Sequence, residues 1–484
     1  MSKIVVLGAG VSGHTAASYL RKNLSKEHEV VVVSPNSNYQ WVPSNIWVGI
    51  GRMKAKQCIF PLAPLYKKKN INYIQAKVTT FHPEGDAETD KGFVKAEYVV
   101  GDKKGETIKV DYDYLINATG PKLNFAATEG FIPGTCGTTS VCTYDHAQHA
   151  WKDLKVQIDR MKKGEHVKIL IGTGHAKSTC QGAAFEYIMN VEQELNRHNV
   201  RDKATVTWIS NEYEVGDFGM DGLTVKMGSK LMPSKDLIEM VFADRNIKII
   251  KRAGVNKIEE GKAHYETLDG EHHVEEFDLA MLIPAFSGHG FTAYDKNGGD
   301  ITEKLFRGFM VVDADYTPRP YEEWTVQDWP ETYQNPSYPT IFAPGIAFAP
   351  PHAISKPRVS KNGTPISPTP PRTGMPSGIS AKLVADNIVH MIKNKTNDIH
   401  HLGSMGNMGA ACIASTGFGI LNGRGVTITT NPIVPDYIKY PETGRINSKT
   451  IGDLGLAGHW VKLSLHYAFL YKAKMKPFWW LIPE

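Results

Sequence analysis

The chain has 484 residues, of which 41% are hydrophobic and 22% charged, with a formal net charge of +5. That length supports two or three domains. The slight basic excess gives no reason to expect a nucleic-acid partner, and no apolar run reaches the ~18 residues of a membrane span. Five cysteines without a CxxC pair exclude a secreted disulfide scaffold and a cysteine-based zinc site.

In chain order, "KIVVLGAGVSGHTAASYL" reads as a buried strand, a turn and a helix of small residues, with no secretory leader ahead of it. Gly8, Gly10 and Gly13 have the G-x-G-x-x-G spacing of a dinucleotide loop. Gly8 allows the tight turn, Gly10 lets the backbone approach a pyrophosphate, and Gly13 allows the helix to pack closely on the strand. The helix N-terminus stabilises the phosphate charge. The second strand, "HEVVVVSPNSNY", ends on Ser34 where an acidic residue usually holds the ribose, so Ser34, Asn36 or Ser37 is expected to supply that hydrogen bond. "YDYLINATGPKL" is a further strand running into Thr119 and Gly120.

A second strand–turn–helix unit opens near His166 with "HVKILIGTGHAKSTCQGAAFE". Its first two glycines fit a nucleotide loop, but Lys177 stands where a small residue is wanted. Glu212, after the strand "ATVTWIS", is placed to hold a ribose, so the sequence alone leaves NADH open as an electron donor. Cys180 falls in the first turns of the predicted helix, where the helix N-terminus favours a thiolate. Beyond it, "YPTIFAPGIAFAP" carries Gly345 on another strand-to-turn, and Thr373 and Gly374 open the next helix. Four such elements spread along the chain point to an extended FAD rather than NAD as the bound cofactor.

Two more cysteines lie in distinctive contexts: Cys142 in "TTSVCTYDHAQHA", with His146 four residues on, and Cys412 in the glycine-rich "GSMGNMGAACIASTGFGIL". The C-terminal "HWVKLSLHYAFLYKAKMKPFWWLIPE" reads as an amphipathic helix. Trp460, Leu463, Tyr467 and Leu470 share its apolar face, and His459, Lys462 and His466 share another. Lysines and tryptophans on such a helix suit the bilayer interface.

Taken in order, "GAGVSG", "ATGPKL", "SVCTYDHA", "STCQGAAFEY", "MLIPAF" and "ACIAS" resemble the motifs of sulfide:quinone oxidoreductases over nearly the whole chain. The resemblance implies an α/β fold with two Rossmann-like dinucleotide domains and a membrane-binding C-terminal region. These would be residues 1–150 with 335–400, residues 151–334, and residues 401–484. It implies that Cys180 and Cys412 form a redox pair beside FAD, that Cys142 assists sulfur transfer or release, and that Glu186 and His146 serve as acid–base groups. Cys58 and Cys136 match no such place. Pro43, Val78 and Lys462 join the glycines, Ser34, Asn36, Thr119 and Thr373 as cofactor contacts, with His466 the other choice for the lysine's place. Phe469 and Tyr467 would sandwich a membrane quinone. The expected activity carries two electrons from sulfide through FAD to that quinone, on a peripheral, monotopic protein at the bilayer surface, with a homo-oligomer compatible. The rivals are a type II NADH:quinone oxidoreductase, the flavoprotein subunit of a flavocytochrome c sulfide dehydrogenase, and a non-catalytic flavoprotein. Two departures mark a divergent subgroup: Asp217 stands near a family histidine, and a Pro/Ser/Lys-rich loop runs from Ile354 to Arg372.

Overall fold

The structure, a computed structural model, describes residues 1–371 and 373–484, so the last residue of that Pro-rich loop, Arg372, lies outside the described residues. The chain begins with β1 (Lys3–Leu7), α1 (Val11–Asn23) and β2 (Glu29–Val33), followed by β3 (Asn72–Ile74) and β4 (Tyr114–Asn117). The runs "IVVL" and "VVVV" are apolar on both strand faces because both faces are covered, as parallel sheets require. Next come β5 (Thr138–Thr139), α2 (Tyr144–Lys162), β6 (Val167–Thr173), α3 (Gln181–Arg197), β7 (Ala204–Ile209), β8 (Ile247–Ile250) and β9 (Leu279–Ile283). The short strand β10 (Ile341–Phe342) then returns to pair with β4.

Two parallel five-stranded sheets result, ordered β10-β4-β1-β2-β3 and β5-β9-β6-β7-β8. In each, strand order reverses beside the first strand of the unit, between β1 and β4 and between β6 and β9. Ligand crevices of doubly wound folds open at the carboxyl ends of the strands at this reversal. The switch between sheets comes earlier than residue 150, because β5 already pairs with β9. Helix α4 (Gly374–Asn394) packs along α1 and closes the first unit.

The C-terminal region adds three antiparallel strands, β11 (Ala410–Gly417), β12 (Arg424–Thr430) and β13 (Gly452–Gly455), followed by α5 (Leu456–Ala473). Strand β11 lies between α3 and α5, which brings residues from three distant parts of the sequence together. The orientation of α5 departs from what an amphipathic helix in a soluble fold would show. Its polar residues His459, Lys462 and His466 are buried, while Trp460, Val461, Tyr467 and Tyr471 are exposed. Of the apolar face read from the sequence, Leu470 alone is fully buried and Leu463 half so. Among the described residues, no helix is long and apolar enough to cross a membrane.

Candidate active site

The first crevice is built by glycines with distinct duties. Gly8 has φ +90°, and a Cβ there would lie 2.4 Å from the Ala118 carbonyl oxygen; at Gly13 it would lie 2.0 Å from the Gly8 oxygen. Gly10 faces open space, and as the N-cap of α1 it adds no side-chain cap, so the helix N-terminus stays available to a phosphate. Thr119 and Gly120 lie against this turn, with the Thr119 hydroxyl bonded to Asn117 Oδ1 at 2.8 Å. Gly345 closes the opposite side. Its amide donates to Ser380 Oγ at 2.9 Å, and a Cβ there would strike the Ser12 hydroxyl. Thr373 and Gly374 sit at the start of α4 beside it, and nothing lies within 4 Å of a Cβ at Gly374. Pro43 is exposed in the turn Val42–Ser44, and Val78 lies at a bulge in the strand Ala76–His82. Ser34 is the exception. It is fully enclosed and its hydroxyl accepts from the Asn36 amide, so of this pair Asn36 is the one exposed to hold a ribose.

The second crevice is built differently. Three residues (8–10) separate β1 from α1, but seven (174–180) separate β6 from α3. The lengthened turn fills its own helix entrance. Ser178 Oγ donates to the Ile283 carbonyl at 2.8 Å, Gln181 Nε2 donates to Asn211 Oδ1 at 2.9 Å, and Ser178, Thr179 and Gln181 are buried. Lys177 is exposed, its amide bonded to His175 Nδ1. Cys180 becomes the N-cap of α3, in a left-handed backbone conformation with φ +73°. Glu212 does not face a ribose. It is fully buried, accepting from Ser210 Oγ at 2.7 Å and from the Phe218 amide at 2.7 Å. Burial, with nearby Asp217, pushes its carboxyl up to about 8. Asp217 is itself raised to about 6 by burial, and Ser355 donates to it.

A buried polar centre lies where α3, β11 and α5 meet. Glu186, on the second turn of α3, forms an ion pair with Lys462 of α5, both side chains buried. The other carboxylate oxygen, Oε1, is buried with no hydrogen-bond partner. Burial holds Glu186 above the ordinary carboxylate range, opposed by Lys462 and by hydrogen bonds from Ser415. Ser415, three residues beyond Cys412 on β11, also accepts from Trp47 Nε1 at 2.9 Å and from Asn190 Nδ2 at 2.8 Å. Lys462 Nζ sits 5.5 Å from the Trp47 ring centroid. Cys412 shares this centre: burial raises its thiol pKa, Lys462 lowers it and Glu186 raises it. Gly182, two residues after Cys180, lies close to the other cysteine segment; a Cβ there would lie 3.9 Å from Cys412 Sγ.

The remaining expected residues have other surroundings. Cys142 precedes α2, its thiol pushed up to about 11 by burial, with its segment tied to Asn45 through the Val141 carbonyl. His146 lies in the first turn of α2, four residues after Cys142. Its ring packs edge-on to Phe125 at 5.6 Å with Nδ1 buried and unpartnered, and its amide is capped by Thr143. Phe469 stacks on Trp41 at 5.0 Å and 11°, whereas Tyr467, two residues away, turns outward against the edge of His466. Phe469 and Tyr467 thus face different surroundings, Phe469 against Trp41 and Tyr467 towards the exterior. His466 Nδ1 bonds Ser44 Oγ at 2.7 Å. Trp41, Trp47, Asn190 and Ser415 escaped the sequence reading. Asn190 was findable as the residue four after Glu186, on the same helix face.

The model of the "Pyridine nucleotide-disulphide oxidoreductase" family matches residues 2–317. The chain belongs to that family. A sulfide-quinone reductase of Aquifex aeolicus is 29% identical over 471 residues, covering 97% of this chain and 91% of that protein. The X-ray structure of the sulfide:quinone oxidoreductase from that bacterium has a TM-score of 0.72 and 28% identity, covering 98% of this chain and 92% of the other. A Plasmodium falciparum NDH2 solved with NADH shares the fold at a TM-score of 0.61 and 15% identity. As a member of this oxidoreductase family the chain is an FAD enzyme, and the first crevice fits the cofactor. Gly10 would admit the pyrophosphate, Asn36 would reach the ribose, and Thr119, Gly345, Thr373 and Gly374 would hold the remaining length.

Proposed function

We propose that this protein is a sulfide:quinone oxidoreductase whose sulfur chemistry runs on Cys180 and Cys412. The observation that carries the proposal is the meeting of the two cysteine segments over Gly182, beside the buried Glu186–Lys462 pair. In the oxidised enzyme the two cysteines are joined. Hydrosulfide attacks one of them, a bond forms between the substrate sulfur and that cysteine, and the bond between the cysteines breaks. The second cysteine leaves as a thiolate. The proton of the new persulfide passes to Glu186 Oε1, the one carboxylate oxygen with no partner in the centre. The persulfide and that thiolate then join through the substrate sulfur, and bound FAD would supply the passage of the two released electrons to a quinone. Lys462 favours the thiolate form of Cys412, against the burial that raises it. Cys142, held well up as a thiol, suits a later role in sulfur transfer rather than first attack.

The enzyme meets its quinone from the bilayer surface. Trp460, Tyr467, Phe478 and Leu481 are exposed along and beyond α5, and the loop tip carries Ile420 and Leu421, both more than 70% exposed. Trp460 Nε1 bonds the Ile420 carbonyl at 2.8 Å, which ties loop and helix into one apolar face. The Trp41–Phe469 stack beside it is the proposed quinone entrance.

Anaerobic mixing with sulfide tests the reading. The flavin absorbance should bleach and then recover on adding quinone, and Cys180→Ser or Cys412→Ser should abolish bleaching while Cys58→Ser leaves it intact. Rapid bleaching by NADH with indifference to sulfide would establish a type II NADH:quinone oxidoreductase instead.

A further inference from the structure

We propose that residues 354–371 are a built-in occupant of the second dinucleotide crevice, and that this strap is what prevents NADH or NADPH from reducing the enzyme. The proposal rests on the sulfide reading above. A dinucleotide in a doubly wound unit lies across the carboxyl ends of its first strands, with the pyrophosphate at the first strand-to-helix turn and the ribose at the end of the second strand. In the second unit those places are the turn after β6, the segment after β7 and the segment after β8.

The strap touches each of them. Past β7, the Arg358 guanidinium lies 3.5 Å from the centroid of the Tyr213 ring, directly after the inward-turned Glu212. Past β8, the fully buried Ile366 packs against Gly254, where a Cβ would lie 3.2 Å from Ile366 Cγ1 and 2.8 Å from the Ala176 Cβ. At the turn after β6, the Ser367 amide donates to the Ala176 carbonyl at 3.1 Å. Thr369 Oγ1 donates to the Lys177 carbonyl at 3.3 Å, and Thr179 Oγ1 donates to the Pro370 carbonyl at 3.4 Å. The strap thus occupies the stretch a nicotinamide dinucleotide would take, from the second strand's end to the helix entrance.

Its sequence suits a permanent seat. Five prolines, Pro357, Pro365, Pro368, Pro370 and Pro371, restrict the unseated chain and lower the entropy lost on docking. Both ends are held. The Tyr321 hydroxyl donates to the Ile354 carbonyl at 2.6 Å, and Ser355 Oγ accepts from the Asp221 amide at 3.0 Å. Glu212 lacks a free oxygen for ribose, but an inward carboxylate alone would only weaken a nucleotide; an occupied crevice excludes it.

The test uses full-length flavin-loaded protein and NADH as the probe. In the wild type, hydrogen exchange at the Ile366 and Ser367 amides should be slow and unchanged by millimolar NADH, and NADH should not bleach the flavin. The variant Ile366→Asp/Ser367→Pro places a charge at the apolar seat and removes the amide donated to Ala176. It should bind NADH at least about tenfold more tightly than wild type, read by NADH fluorescence, or else be reduced by NADH. Strap amides that exchange at unfolded-chain rates in the wild type would overturn the proposal, whatever the variant does. So would a variant whose strap exchanges freely, whose flavin still bleaches with sulfide, and which ignores NADH. Failure of the wild type to bleach with sulfide would sink the sulfide reading instead, and the exchange and NADH measurements would still decide the strap.

Discussion

Replacing Lys462 with Met removes one charge from the buried centre and almost nothing else, because the two side chains have similar length and volume. In the wild type, Lys462 and Glu186 are both at most 8% exposed and Lys462 also faces the Trp47 ring. Removing one partner of such a pair costs about 3–5 kcal/mol if the remaining charge stays buried. Glu186 has an escape, since it can take a proton. Burial already raises it and Lys462 is the largest influence holding it down, so without the lysine its pKa rises further. The penalty therefore grows with pH: small where the carboxyl is protonated, and about 3 kcal/mol once the pH would force it to ionise. Cys412 moves in the same direction, because Lys462 is what lowers its thiol pKa. The sulfide-driven bleaching rate should accordingly fall at pH 7, and the rising limb of its pH profile should shift to higher pH. Denaturant titrations from pH 5.5 to 8.5, together with stopped-flow bleaching, read both effects. The double variant Glu186→Gln/Lys462→Met should recover at least about 1.5 kcal/mol of the lost stability. A Lys462→Met protein within about 1 kcal/mol of wild type at pH 8, with an unshifted profile, would refute the picture of a dry ion-paired centre.

Glu212→Gln should flatten the pH dependence of stability. The raised Glu212 pKa means its contribution is complete below the unfolded value of 4.5 and is lost as pH rises through about 8. Unfolding measurements should then find the variant more stable than wild type by a few kcal/mol at pH 8.5, at about 1.4 kcal/mol per pH unit of the shifted range. Gly13→Ala, whose Cβ would meet the Gly8 carbonyl at 2.0 Å, should yield protein without bound flavin, checked by absorbance of the purified chain. Ile420→Asp/Leu421→Asp should weaken sedimentation with quinone-containing liposomes by about 100-fold or more, since each side chain would contribute about 1.5–3 kcal/mol of burial. Sulfide-driven bleaching should stay unchanged in the same protein.

Local features of the site were legible because they are written in neighbouring residues. The first glycine loop has its spacing, and the Cys180 helix has its strand and turn. What the sequence withheld depends on long-range contact. Glu186 and Lys462 are 276 residues apart, and neither position shows the other. Periodicity correctly grouped His459, Lys462 and His466 on one side of α5, but it cannot say which way that side turns. The buried centre draws the charged face inward and leaves the aromatic face out. The second loop was ambiguous for a similar reason. Its glycines suggested a nucleotide turn, and only the count of residues before α3 reveals that the helix entrance has been moved. The segment 354–371 read as a loop because composition reports what a chain prefers alone, not what it is packed against.

The left-handed backbone at Cys180 sets stability against chemistry at one residue. For a side chain with a Cβ that conformation is disfavoured by about 1–2 kcal/mol, and glycine escapes the penalty. If the proposed sulfur chemistry runs on Cys180, Cys180→Gly should be the sturdier protein and inert toward sulfide, so stability and turnover pull this one position in opposite directions.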